Sequence, residues 1–90
     1  MTTEKDWRYL TTKELSKLLD ITTQTVIRWR IDKGLPAKKF PSRKLEFNIF
    51  EVLDWLESQT QIDERRFDIY YPYKLAVIKY INNREARLWK

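Results

Sequence analysis

Thr23, Gln24, Ile27 and Arg28 stand in the stretch "ITTQTVIRWRIDKGLP", residues 21–36, at a spacing that puts a carboxamide and a guanidinium on one side of a short helix. With an advance of about 100° per residue and Val26 taken as core, Thr22, Trp29 and Lys33 turn inward while Gln24, Ile27, Arg28 and Ile31 turn outward. The chemistry of the outward set is recognition rather than bond-making. A carboxamide pairs with adenine N6 and N7, a guanidinium with guanine O6 and N7, and an aliphatic side chain packs on the thymine methyl group. Gln24, Arg28 and Ile27 are the candidates for those three contacts, with Thr23 beside them in the first turn. Thr25, in the same turn, suits a phosphate near the positive end of the helix. The alternative is an ordinary solvated face, which accounts for Gln24 equally well but leaves two outward isoleucines beside Arg28 without a reason.

Catalysis is poorly supplied. The chain of 90 residues contains neither cysteine nor histidine. That removes disulfides, thiolate and imidazole metal ligands and the Ser-His and Cys-His nucleophiles, leaving carboxylates, lysines and tyrosines. Asp63, Glu64 and Asp68 do not recur as a paired set on one element. The expectation is therefore a protein that is not an enzyme and takes no cofactor and no metal. No stretch approaches the roughly 20 apolar residues of a membrane span, and "MTTEKDWRYL" lacks the apolar run of a signal peptide. A cytoplasmic protein without membrane contact is expected, and the length suits one small core.

The charge points to a partner. The formal net charge is +5, and between Thr22 and Phe47 seven basic residues face the two acids Asp32 and Glu46. The remainder is balanced at eleven of each sign, so the whole excess lies in one segment. Arg30, Lys33, Lys38, Lys39, Arg43 and Lys44 are accordingly candidates for backbone phosphate contact. Lys33, Lys38, Lys39, Arg43 and Lys44 have a second reading, as charges that keep a hairpin edge from pairing with other chains.

The elements that must position these residues announce themselves by capping residues. Thr11 caps a first helix with Glu14 closing a capping box, and Leu10 staples to Leu15. Thr22 caps the second and Asn48 the third, which continues to about residue 58. Only Asp20, Ile21 and Thr22 separate the first two helices, the spacing of a helix-turn-helix. Pro36 bars continuation of the second helix, and residues 37–40 and 44–47 are expected to form two strands about a turn at 41–43. Phe40, Leu45 and Phe47 would line the inner side of that hairpin. Residues 59–66 look like a linker. Beyond it, a short strand from Phe67 and then a helix starting after Pro72 and running to about Trp89 are expected.

With these residues in view, residues 9–57 resemble the excisionase-like branch of the MerR-type winged helix-turn-helix proteins. The resemblance is carried by "YLTTKELSKLLDITTQTVIRWR", the following "GLP", the basic hairpin and "FNIFEVLDWL". It implies that the second helix enters a major groove and that the hairpin contacts the backbone or an adjacent minor groove. Asp20 stands where that family often has a turn glycine, and Pro41, Ser42 and Arg43 replace a tip that often carries one. The fold expected is mainly α with a small β-hairpin: a winged helix-turn-helix over residues 1–58, the linker 59–66, and a C-terminal helical extension over 67–90.

The resemblance implies a sequence-preferring double-stranded DNA-binding protein of phage or mobile-element type, an excisionase-like architectural factor or a small transcriptional regulator. Such a protein would work with a recombinase or a polymerase. Two other readings stay open: a small terminase subunit, and a winged helix serving as a protein-protein adaptor through its basic face. Phe67, Tyr70, Tyr71, Tyr73 and Trp89 suit packing or self-association through residues 67–90 better than stacking on single strands.

Overall fold

Thr11 ends one element and begins the next. Its backbone N–H is bound by the Glu14 carboxylate at 2.9 Å while its hydroxyl accepts the Glu14 N–H at 3.1 Å. This reciprocal box turns the chain from a strand into a helix within one residue. The computed structural model describes residues 6–39 and 44–88, the last three through their backbone alone. Among them lie β1 (Tyr9–Thr11), α1 (Thr12–Leu19), α2 (Thr23–Asp32), β2 (Lys38–Lys39), β3 (Leu45–Asn48), α3 (Ile49–Thr60) and α4 (Glu64–Leu88). The protein is a winged helix-turn-helix with a C-terminal helix.

The turn between α1 and α2 rests on Asp20, whose φ of 58° and ψ of 46° put it in the left-handed region. An aspartate tolerates this at modest cost, which is why the turn forms without glycine. The Ile21 N–H then donates to the Ser16 carbonyl at 2.9 Å and closes the end of α1.

The strands form one antiparallel sheet in the order β1-β3-β2. Leu10 pairs with Phe47 in its centre, and Lys38 and Lys39 pair with Glu46 and Leu45 at its edge. The third strand, β1, was not expected from the sequence. Three residues are too few for a visible alternation, and β3 is needed to complete the pairing. The expected hairpin turn, with Phe40, Pro41, Ser42 and Arg43, lies outside the described residues.

Leu15, Leu19, Val26, Phe47, Ile49, Val52 and Leu56 are buried together, and Tyr70, Val77 and Ile81 of α4 join the same core. Trp29 is the hub on the side of α2. Its ring centroid lies 5.5 Å from Trp55, 5.5 Å from Tyr70 and 5.2 Å from Tyr73, so one side chain joins α2 to both α3 and α4. Burial in this aromatic cluster pushes the Tyr70 phenol above its ordinary pKa. At the far end, the Tyr80 hydroxyl donates to the Trp7 carbonyl at 2.7 Å and holds the start of the chain against α4.

Three expectations about the C-terminal third are corrected. Most of the linker 59–66 is helical: α3 runs on through Thr60, and α4 starts at Glu64 after three residues. Asp63 is its cap, with a carboxylate that accepts the Arg66 N–H at 2.8 Å. The strand from Phe67 and a helix start at Pro72 are also absent, because Pro72 lies inside one continuous helix. Pro72 is exposed and sits about 200° around the axis from buried Tyr70. The carbonyl of Asp68, which loses its helical partner to the proline, therefore faces water, and burial of Tyr70, Val77 and Ile81 on either side carries the helix across the defect. Among the described residues, no helix is long and apolar enough to cross a membrane.

Candidate nucleic-acid interface

The two ends of α2 are fixed independently. At its start, the Thr22 hydroxyl accepts the Thr25 N–H at 3.1 Å and lies 2.8 Å from the Thr25 hydroxyl. At its end, the Trp29 carbonyl accepts from the Lys33 N–H at 3.0 Å and the Leu35 N–H at 3.1 Å. The chain must reverse to make the second of these bonds, and Gly34 with a φ of 77° allows it. Leu35 is then buried, and the Trp55 indole donates to the Lys33 carbonyl at 2.9 Å.

A helix held in this way has one buried face and one exposed face. Val26 and Trp29 are buried, whereas Thr23, Gln24, Ile27, Arg28, Ile31 and Asp32 are exposed. Gln24, Ile27, Arg28, Ile31 and Asp32 line one shallow, open depression. The structure thus brings together three of the four candidate base-reading residues, with Thr23 exposed one position before Gln24. Ile31 and Asp32 extend the same surface toward the end of the helix. Asp32 did not stand out in the sequence, since an acid in a basic segment reads only as a reduction of charge.

The candidate phosphate contacts are dispersed. Thr25 is half-buried and its hydroxyl is engaged with Thr22, so it belongs first to the cap. Arg30 is half-buried on the flank of α2, about 200° around the axis from Arg28. Lys38 and Lys39 are exposed on the edge strand β2, and Lys44 is exposed just before β3. Arg43 lies outside the described residues. Lys33 is exposed rather than turned into the core, because α2 ends before it, and it lines a different depression with Asp63, Arg65, Arg66, Ile69 and Tyr70.

Arg65 and Arg66 are the basic residues that the sequence reading passed over. Their charges disappear into the balanced remainder of the chain, and only the fold carries them back beside Lys33. Arg66 is paired with Asp63 at 2.6 Å. The Arg66 backbone N–H, followed by the Arg66 charge, holds the Asp63 carboxyl below its usual value.

A family model described as a helix-turn-helix domain matches residues 9–60, which are β1 through the last residue of α3. The chain belongs to the helix-turn-helix domain family. It is a DNA-binding helix-turn-helix protein, in which α2 occupies the second-helix position. No curated protein and no solved structure gives a significant match to the chain. Helix α4 lies beyond the helix-turn-helix match, yet it contributes Tyr70, Val77 and Ile81 to the core of that domain.

Proposed function

We propose that the protein binds double-stranded DNA with sequence preference and acts by occupying or bending its site. It is an excisionase-like architectural factor or a small transcriptional regulator of the MerR-type winged helix-turn-helix kind. The observation that carries this reading is the two-sidedness of α2: its apolar side is consumed by Val26 and Trp29, and its opposite side presents Gln24, Ile27 and Arg28 exposed on one open depression. Both ends of the helix are tied, so this surface is offered in a fixed frame, as readout of base edges requires. In this reading Arg28 takes a guanine and Gln24 an adenine. Lys38, Lys39 and Lys44 hold the backbone beside the groove.

A single helix reads few base pairs, so useful specificity needs copies on adjacent half-sites. The exposed apolar residues Phe67, Tyr71 and Leu75 of α4 support self-association as the means.

Selection of the protein against a random-sequence duplex pool at near-physiological salt tests the proposal. The expected result is an enriched motif, with a log-log salt slope near −4 to −5 for about five phosphate contacts. Retention without enrichment would remove the sequence preference and leave an architectural role. No retention would overturn the DNA reading and leave the basic face to a protein partner.

A further inference from the structure

Ile27 and Ile31 are one helical turn apart and are 39% and 67% exposed. Exposed aliphatic residues are ordinary when scattered, but these two are adjacent on the side of α2 that faces away from buried Val26 and Trp29. The apolar requirement of α2 is already met by Val26 and Trp29 on the other side, so folding gives no reason for the pair. The surroundings restrict what can cover it. Arg28 lies beside the ridge and Asp32 lies at its far end, all on the same depression. A phosphate seated there would meet the Asp32 carboxylate at close range and be repelled, whereas a base edge carries no net charge.

We propose that Ile27 and Ile31 form a ridge that reads two pyrimidine 5-methyl groups, those of thymine in unmodified DNA, while Asp32 keeps the backbone off this part of the helix. The inference rests on the assignment of α2 as the reading helix and specifies what that helix reads. The thymine methyl is the one apolar group exposed in the major groove, and an aliphatic side chain is its natural contact. Residues four apart are displaced by about 6 Å along a helix. Base pairs stack about every 3.4 Å, so the two methyl groups belong within about two base-pair steps of each other.

The test removes single methyl groups from the DNA. In the duplex best enriched by selection, each thymine is replaced in turn by uracil, which keeps all base pairing and deletes only the 5-methyl group. Binding is measured for the native chain and for Ile27→Ala and Ile31→Ala. Ile31 is largely exposed and Ile27 partly so, and the variants are expected to lose little stability, which thermal denaturation checks. The expected result is two sensitive positions within about two steps, each losing affinity about fourfold with uracil, as suits one buried carbon group. Each alanine variant should abolish the effect at one of them.

An enriched motif whose thymines all tolerate uracil would overturn the inference while leaving the DNA-reading assignment standing. So would uracil sensitivity that persists in both alanine variants. Retention without any enriched sequence would overturn both the inference and the assignment of α2 as a reading helix, leaving an architectural role. A chain that retains no DNA would overturn the assignment itself, and the ridge would then belong to a protein contact.

Discussion

The indole N–H of Trp55 donates to the carbonyl oxygen of Lys33 at 2.9 Å, so α3 holds the point where α2 ends. The same Trp55 ring packs on Trp29, with centroids 5.5 Å apart, one turn earlier on α2. The outer face of α2, proposed to read DNA, is thus set by residues that do not belong to it. Trp55→Phe keeps an aromatic ring but leaves the Lys33 carbonyl without its donor. The expected cost is about 1–2 kcal/mol, or a fall in Tm of roughly 4–8 °C for each kcal/mol in a domain of this size. Thermal denaturation measures it. DNA affinity should fall without a change in preferred sequence, because no base contact is altered.

Arg28 and Lys44 are expected to fail in different ways. Arg28→Ala should relax preference at one guanine, with a loss of about 1–3 kcal/mol in discrimination. Lys44→Ala should weaken binding to all sequences about equally and reduce the magnitude of the salt slope by about 1. Binding to a panel of single-base variants at several salt concentrations separates the two. A change of base preference in Lys44→Ala would move that residue from the backbone to the bases.

The sequence makes the helix-turn-helix legible because its signals are local. Thr11, Thr22 and Asn48 each cap within three residues of themselves, and Val26 with Trp29 marks the inner face of α2 by spacing alone. What was missed is long-range or ambiguous. Strand β1 exists through its pairing with β3 across some 37 residues, from Leu10 to Phe47. Lys33 and Arg65 line one depression only because α4 folds back on α3. Pro72 gives a helix-start signal that tertiary burial overrides, while the true cap, Asp63, lay within a charged stretch read as a linker.

Acid should destabilise the protein only at low pH. The Arg8 guanidinium lowers the Asp6 carboxyl to about 2 from an ordinary value of 3.8, and the Arg66 N–H holds Asp63 below its usual value. For groups depressed in the folded state, the contribution is complete above the unfolded value and is lost as pH falls through the folded one. Both groups are solvent-exposed, so the loss is modest and screened by salt. Without histidine, the Tm is expected to be flat from pH 5 to 8 and to fall between about 4 and 2. Asp63→Asn, which keeps a capping oxygen, should flatten part of that fall. A transition near pH 6 would contradict this account.

Replacing Pro72 should make the protein more stable. Its ring removes one hydrogen bond from the interior of α4 and crowds the carbonyl of Asp68, and its exposed position gives it no core contact to lose. Pro72→Ala is therefore expected to raise unfolding free energy by about 1–3 kcal/mol. Denaturant unfolding measures it, and an unchanged or lowered midpoint would mean that the proline sets a bend needed for packing Tyr70 and Val77 together.

Self-association is predicted to run through the flank of α4. Phe67, Tyr71 and Leu75 are exposed at four-residue spacing, and the first two rings stack with centroids 4.7 Å apart. Glu64 and Asp68 lie at one end of this stripe and Lys79 near the other. Two copies packed antiparallel about a two-fold axis between Tyr71 and Leu75 would therefore set unlike charges against each other at both ends. The native chain is expected to sediment as a dimer at micromolar concentration, and the double variant Tyr71→Glu with Leu75→Glu as a monomer. Because both side chains are exposed, the variant should keep its secondary structure, which circular dichroism checks. Its specific DNA affinity should drop far more than its non-specific affinity, since the proposed dimer would supply two reading helices on linked half-sites. A native chain that remains monomeric at all accessible concentrations would sink the arrangement, and the half-sites would then have to be filled by independent copies assembled on the DNA.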